Sequence, residues 1–316
     1  MSFTSDLKTE LTKLVPESKC CQLAEITGFM RFAGSITLRG GLGIKLSTDN
    51  PAVARKFISL VKAYFGSKTA LSLGEPASPA KSKIYVLDIT PDMNAEQILR
   101  ETGMLSVKEG SNYITDGIAQ SVIKKRCCKK AALRGIFMAA GSVSDPLKAY
   151  HMEISCGSSY MAKDVSKLLA SFGLKSGISE RRGKFIVYIK DGDEILDFLG
   201  VLGANGQYFE YQEVRITKGM RNRTNRAQNC MNANLDKTVG AAQKQLEAIE
   251  KIENSLWGLG ILGDKLQQTA VLRKENPELS LAELAELFDP PIKKSGLNHR
   301  RAKIVEIAEN LGKEGK

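Results

Sequence analysis

The side chains best suited to chemistry lie near the C-terminus, and the chemistry they suit is recognition. The run from Lys293 to Lys303 holds Lys293, Lys294, Arg300, Arg301 and Lys303 and contains no acid. Asn298, His299 and the arginines carry donors that match purine edges, and Ala302 leaves room for a helix to seat deeply in a major groove. The lysines and flanking arginines suit phosphates, which supply affinity without sequence choice. Ser295 and Gly296 open the same helix, where free amides favour a phosphate. Ser280, at the head of the preceding helix, joins this DNA-facing set. A second group, Arg221, Arg223 and Arg226 with Asn222, Asn225 and Asn229, could clamp a DNA backbone if the segment orders on binding; a solvated hinge explains it equally well.

These residues need elements to hold them. Leu266 and Ala270 mark one helix, stopped at Asn276-Pro277. Ser280-Leu281-Ala282-Glu283 reads as a capping box for a second, whose buried stripe is Leu281, Leu284, Ala285 and Phe288. After Asp289-Pro290-Pro291 a third helix spans about Ser295 to Leu311. At 100° per residue, Leu297, Ile304, Ala308 and Leu311 face inward and Asn298, His299, Ala302 and Lys303 outward. Two short helices, a tight turn and a basic third helix outline a helix-turn-helix; the alternative is a solvated basic helix in an accessory domain. Upstream, a helix is expected from about Thr238 to Leu256, and the asparagine-rich basic stretch before it reads as a linker.

The first two thirds of the chain repeats itself. Gly28-Phe29-Met30-Arg31-Phe32-Ala33-Gly34-Ser35 recurs as Gly135-Ile136-Phe137-Met138-Ala139-Ala140-Gly141-Ser142, and the same offset carries Cys20-Cys21 onto Cys127-Cys128 and Phe65-Gly66 onto Phe172-Gly173. A period this long suggests two half-domains about a pseudo-twofold axis rather than a solenoid. Each copy reads as helix, two strands, helix, two strands, helix. Gly34 and Gly141 are expected to stop their helices with positive φ, and Arg39-Gly40-Gly41-Leu42-Gly43 to form a hairpin turn.

Composition sets bounds. With 46 Lys+Arg against 35 Asp+Glu, the net charge is +11 over 316 residues, which favours a polyanionic partner. The six cysteines are two adjacent pairs plus Cys156 and Cys230. Adjacent cysteines do not readily bridge each other, and no spacing matches a zinc site. The pairs read as small buried residues at the start of packed helices, with neither metal nor cofactor expected. His151 and His299 are the only histidines, too few for a hydrolytic triad or a histidine-based metal site. No signal peptide or membrane span is expected, so the sequence implies a cytoplasmic protein with no membrane partner; nucleoid association is expected only if it binds DNA.

The paired Gly-x5-Gly-Ser elements, each at a helix end before a β-hairpin, resemble the two LAGLIDADG motifs of homing endonucleases. In that family two such helices pack side by side, and an acid before the final glycine holds the catalytic metal. Ala33 and Ala140 stand at those positions, and alanine offers no oxygen to a hard cation. A degenerate LAGLIDADG pair, a basic linker and a C-terminal helix-turn-helix together resemble the WhiA family of bacterial regulators. Asn225-Arg226-x-x-Asn229-Cys230-x-x-Ala233-Asn234 and Lys294-Ser295-Gly296-Leu297-Asn298-His299-Arg300 are the segments that carry the resemblance most specifically. It implies an α+β fold: LAGLIDADG-like halves at residues 1–105 and 106–217, a linker and helix at 218–262, and an all-α domain at 263–316. It also implies a non-enzymatic, sequence-specific transcription regulator of sporulation or cell division and chromosome segregation. The partner would be promoter DNA, with transcription or division proteins as further candidates. Two alternatives are a division or nucleoid factor acting through protein contacts and a residual nuclease using Glu25 or Asp145.

Overall fold

The structure, a computed structural model, describes residues 2–16, 18–38, 40–74 and 83–311. Residues 1–218 and 219–316 pack as two separate compact units.

The first unit opens with α1 (Phe3–Thr12), which buries Phe3, Leu7 and Leu11 at one-turn intervals. This helix precedes the repeated elements and was not expected from them. α1 packs on elements from distant parts of the chain. The Thr4 hydroxyl donates to the Val143 carbonyl (2.8 Å) and accepts from the Val143 amide (2.9 Å). Next come α2 (Lys19–Ala33), β1 (Gly34–Thr37), β2 (Gly43–Thr48), α3 (Pro51–Phe65), β3 (Ala70–Gly74), β4 (Ile84–Ile89) and α4 (Ala95–Glu101). A hairpin of β5 (Leu105–Lys108) and β6 (Ser111–Ile114), unforeseen from sequence, separates the halves. The second half repeats the order: α5 (Arg126–Ala140), β7 (Gly141–Val143), β8 (Met152–Cys156), α6 (Ser159–Ala170), β9 (Gly177–Arg181), β10 (Lys184–Ile189) and α7 (Gly192–Leu202). The two antiparallel sheets have matching strand orders, β1-β2-β4-β3 and β7-β8-β10-β9, so the duplication extends to topology.

At the centre α2 lies against α5. A Cβ on Gly28 would collide with the Ala132 carbonyl, and one on Gly135 with the Glu25 carbonyl. The glycines therefore set how closely the helices approach. Gly34 and Gly141 differ from expectation: their φ values are −101° and −87°, in the extended region. Each helix passes straight into its strand, and the residue is small because a side chain would strike the Met30 carbonyl or the Phe137 ring. Positive φ occurs instead at Gly40 and Gly41 of the β1–β2 turn; Arg39 lies outside the described residues.

The cysteine pairs are also arranged differently from the expectation of four buried packing residues. Cys21 and Cys128 are buried, but Cys20 is partly exposed and Cys127 exposed. All four sulfurs lie within 4.8 Å of one another. Sequence spacing hid this because the pairs meet through the pseudo-symmetry of α2 and α5.

The basic linker is helical. α8 (Asn205–Glu253) is continuous through it, and in its first turn the Gly206 and Gln207 amides donate to the Glu10 carboxylate at 2.7 and 2.9 Å. Strong helix formers on both sides of Arg221–Asn234 outweigh the asparagines that suggested a loop. The second unit is completed by α9 (Asp264–Glu275), α10 (Leu281–Glu286) and α11 (Lys294–Leu311).

Candidate nucleic-acid interface

Two small cores orient α11. Ala248, Ile249 and Ile252 of α8 pack with Leu262, Ala270, Ile304 and Ala308. Leu284, Ala285 and Phe288 enclose Leu297. The capping box is formed: the Glu283 amide donates to the Ser280 hydroxyl at 3.3 Å and the Ser280 amide to the Glu283 carboxylate at 2.8 Å. Hydrogen bonding to Ser280 holds the Glu283 carboxyl below its ordinary range.

Sequence reasoning missed Arg273. Only 2% exposed, it donates to Gln245 Oε1 (3.1 Å) and to the carbonyls of Asn276 (3.2 Å) and Leu279 (2.6 Å). It thereby ties the connection between α9 and α10 to α8. The available signal was a basic residue in the last turn of a helix ended by Asn-Pro, where free carbonyls collect.

With its core face fixed, α11 exposes Lys294, Ser295, Asn298, His299, Ala302 and Lys303, preceded by exposed Lys293. Lys293 offers no capping oxygen, so the first-turn amides face outward with the positive end of the helix dipole. The remaining candidates are placed less directly. The Arg300 guanidinium lies 5.2 Å from the Phe288 ring centre. Arg301 lines a groove with Asp236, Lys237 and Lys244 of α8, and its Nε has no hydrogen-bond partner. The Ser280 hydroxyl is committed to its cap. Arg221, Arg223, Asn225 and Arg226 are exposed on α8, where Asn222, Asn225, Arg226 and Asn229 share one face.

In the first unit, α2 and α5 end at Ala33 and Ala140. Glu25, a residue weighed for nuclease chemistry, is fully buried, 3.1 Å from Arg134 Nε and 3.6 Å from Lys56 Nζ. Burial pushes its carboxyl up against the pull of those two cations. Asp145 accepts from the Leu147 amide at 2.8 Å in a turn. The solvent face of the two sheets mixes Lys45, Arg181 and Lys184 with Asp88 and Glu153.

Three family models match in succession: a WhiA N-terminal LAGLIDADG-like domain over residues 19–105, a WhiA LAGLIDADG-like domain over 129–221 and a WhiA C-terminal HTH domain over 224–308. A "Probable cell division protein WhiA" from Alkaliphilus oremlandii is 42% identical over 319 residues, spanning 100% of this chain and 99% of the relative. The chain belongs to the WhiA family. Another WhiA relative, also a "Probable cell division protein", from Clostridium beijerinckii, is 41% identical over 312 residues, covering 98% of this chain and 99% of its own. A solved full-length DUF199/WhiA from Thermatoga maritima, 24% identical, superposes with a TM-score of 0.58 over 98% of this chain and 99% of that one; at that identity the likeness speaks for the fold. Among the described residues of this WhiA-family chain, no helix is long and apolar enough to cross a membrane.

Proposed function

We propose that this chain is a sequence-specific DNA-binding regulator of transcription, without catalytic activity, acting on promoters of genes for cell division, chromosome segregation and, where the host makes spores, sporulation. One observation carries the reading: the exposed face of α11 presents Asn298, His299 and Lys303 around Ala302, with no acid between Lys293 and Lys303. Asn298 and His299 read base edges. Lys293, Lys294 and Lys303 hold phosphates, and Ser295 adds the first-turn amides. Arg300 and Arg301 flank the reading face. Arg221, Arg223, Asn225 and Arg226 add backbone contacts from α8, and Ser280 positions α10. The working domain limits are 1–105, 106–217, 218–262 and 263–316. The LAGLIDADG-like halves serve as scaffold, since Ala33 and Ala140 offer no metal ligand and the sheet face carries mixed charge. The setting that follows is the cytoplasm, on the nucleoid.

The test is capture of host genomic fragments by the full-length protein with magnesium present, followed by sequencing of bound DNA and of any new ends. Enrichment of a few promoter-proximal sites without new ends supports the proposal. Site-specific ends would make the protein a nuclease, and uniform salt-labile retention would remove sequence specificity. The relatives' name favours a second reading, in which division is served through protein contacts and DNA binding only localises the protein. Retention of the cellular role by a variant carrying Asn298→Ala and His299→Ala that no longer binds DNA would select that reading.

A further inference from the structure

Cys20 and Cys21 are the second and third residues of α2, and Cys127 and Cys128 the second and third of α5. Because these helices lie side by side, their first turns meet, and the four Sγ atoms converge within 4.8 Å of one another. We infer that the four cysteines form a tetrathiolate site for one zinc ion, a clasp between the two halves of the first unit.

Geometry, ligand chemistry and surroundings agree. A tetrahedral ZnS4 centre with bonds of about 2.3 Å has sulfur–sulfur edges of about 3.8 Å. The thiols lie close enough for rotamer adjustments to complete the tetrahedron. Four sulfurs converging on a point select zinc over magnesium or calcium, which require oxygen. An iron–sulfur cluster would need its thiolates spread around several irons.

The surroundings suit negative sulfur. Zinc with four thiolates carries a net charge of −2. It would sit at the positive ends of two helices, whose starts carry Lys19 in α2 and Lys125 and Arg126 in α5. Neither helix has a side-chain cap on its first-turn amides, whereas Ser2, Asn50, Ser158, Asp191 and Ser280 cap theirs. Ser18, the residue placed to cap α2, directs its hydroxyl to Cys20 Sγ at 3.3 Å instead. The uncapped amides and this hydroxyl are donors for thiolates, the outer-shell support that metal sites use. Exposed Cys127 gives a route in, while Cys21 and Cys128 shield the opposite side. On binding, four Zn–S bonds form and four thiol protons pass to solvent, with no change of oxidation state.

The site lies at the opposite end of the helix pair from Ala33 and Ala140, about 20 Å away along a helix of this length. It is therefore separate from the lost nuclease centre.

The test uses full-length protein purified without chelator. The expected result is one zinc per chain by mass spectrometry of the metals, released by a mercurial. Cobalt exchange should give the thiolate charge-transfer band and strong visible bands of a tetrahedral CoS4 centre. Cys127→Ser, at an exposed position, should abolish that spectrum and the retained zinc, while Cys230→Ser keeps both. Ser18→Ala should lower zinc affinity about 10- to 100-fold at unchanged stoichiometry. The inference is overturned by metal-free native protein whose four thiols alkylate freely, by disulfides between the pairs, by iron in place of zinc, or by zinc retained after replacement of both Cys20 and Cys127.

Discussion

At the scale of single residues, Asn298 and Lys294 should fail differently. If Asn298 makes a bidentate base contact, Asn298→Ala loses about 1–3 kcal/mol on the specific site and little on random DNA. Lys294→Ala should weaken both by similar factors and lower the slope of log K against log salt by about 0.9. Titrations on operator and scrambled duplexes at several salt concentrations separate the two; equal losses on both duplexes for Asn298→Ala would sink its readout role. Glu25 permits a pH argument. Its folded carboxyl is raised above the ordinary value, so the stability linked to its proton is present at low pH and lost as pH rises through the folded value. Arg134→Ala removes the nearest compensating cation and raises that value further. At neutral pH the cost should be about 3–5 kcal/mol, and it should shrink on acidification as Glu25 takes up its proton. Urea unfolding of both proteins at neutral and mildly acidic pH measures this; a cost that grows on acidification contradicts it.

Among elements, legibility in the sequence tracked local signals. The capping box at Ser280, the apolar stripe of α11 and the glycine-punctuated copies of α2 and α5 were all readable, because each depends on neighbours within a few turns. Arg273 was not, since its role requires Gln245 and the Asn276 and Leu279 carbonyls brought together by the fold. The cysteine cluster was half-visible: the repeat offset pairs Cys20-Cys21 with Cys127-Cys128, but only the packing of α2 on α5 makes them one group. Asparagines and basic residues argued for a linker where α8 is helical. Gly219 is exposed, and a methyl group there would meet nothing within 4 Å, so Gly219→Ala should stabilise the helix by about 1 kcal/mol. Amide exchange around residues 215–225 should then slow about fivefold. Unchanged exchange would mean that no helix is populated there.

For the molecule as a whole, the first unit depends on its first helix. α1 buries Phe3, Leu7 and Leu11, each worth about 1.5–3 kcal/mol, a sum comparable with the net stability of a domain. Deleting residues 2–12 should therefore abolish cooperative unfolding of the first unit by calorimetry; an intact transition would show that α1 is dispensable. Its contacts reach far along the chain, since Thr4 meets Val143 and Glu10 caps α8 at Gly206, 196 residues later. That separation has a meaning during synthesis. At about 5–20 residues per second the ribosome needs roughly 10–40 s to make the intervening chain. A helix made that long before its partner must wait for it, and through that interval its apolar face is open to chaperones and proteases.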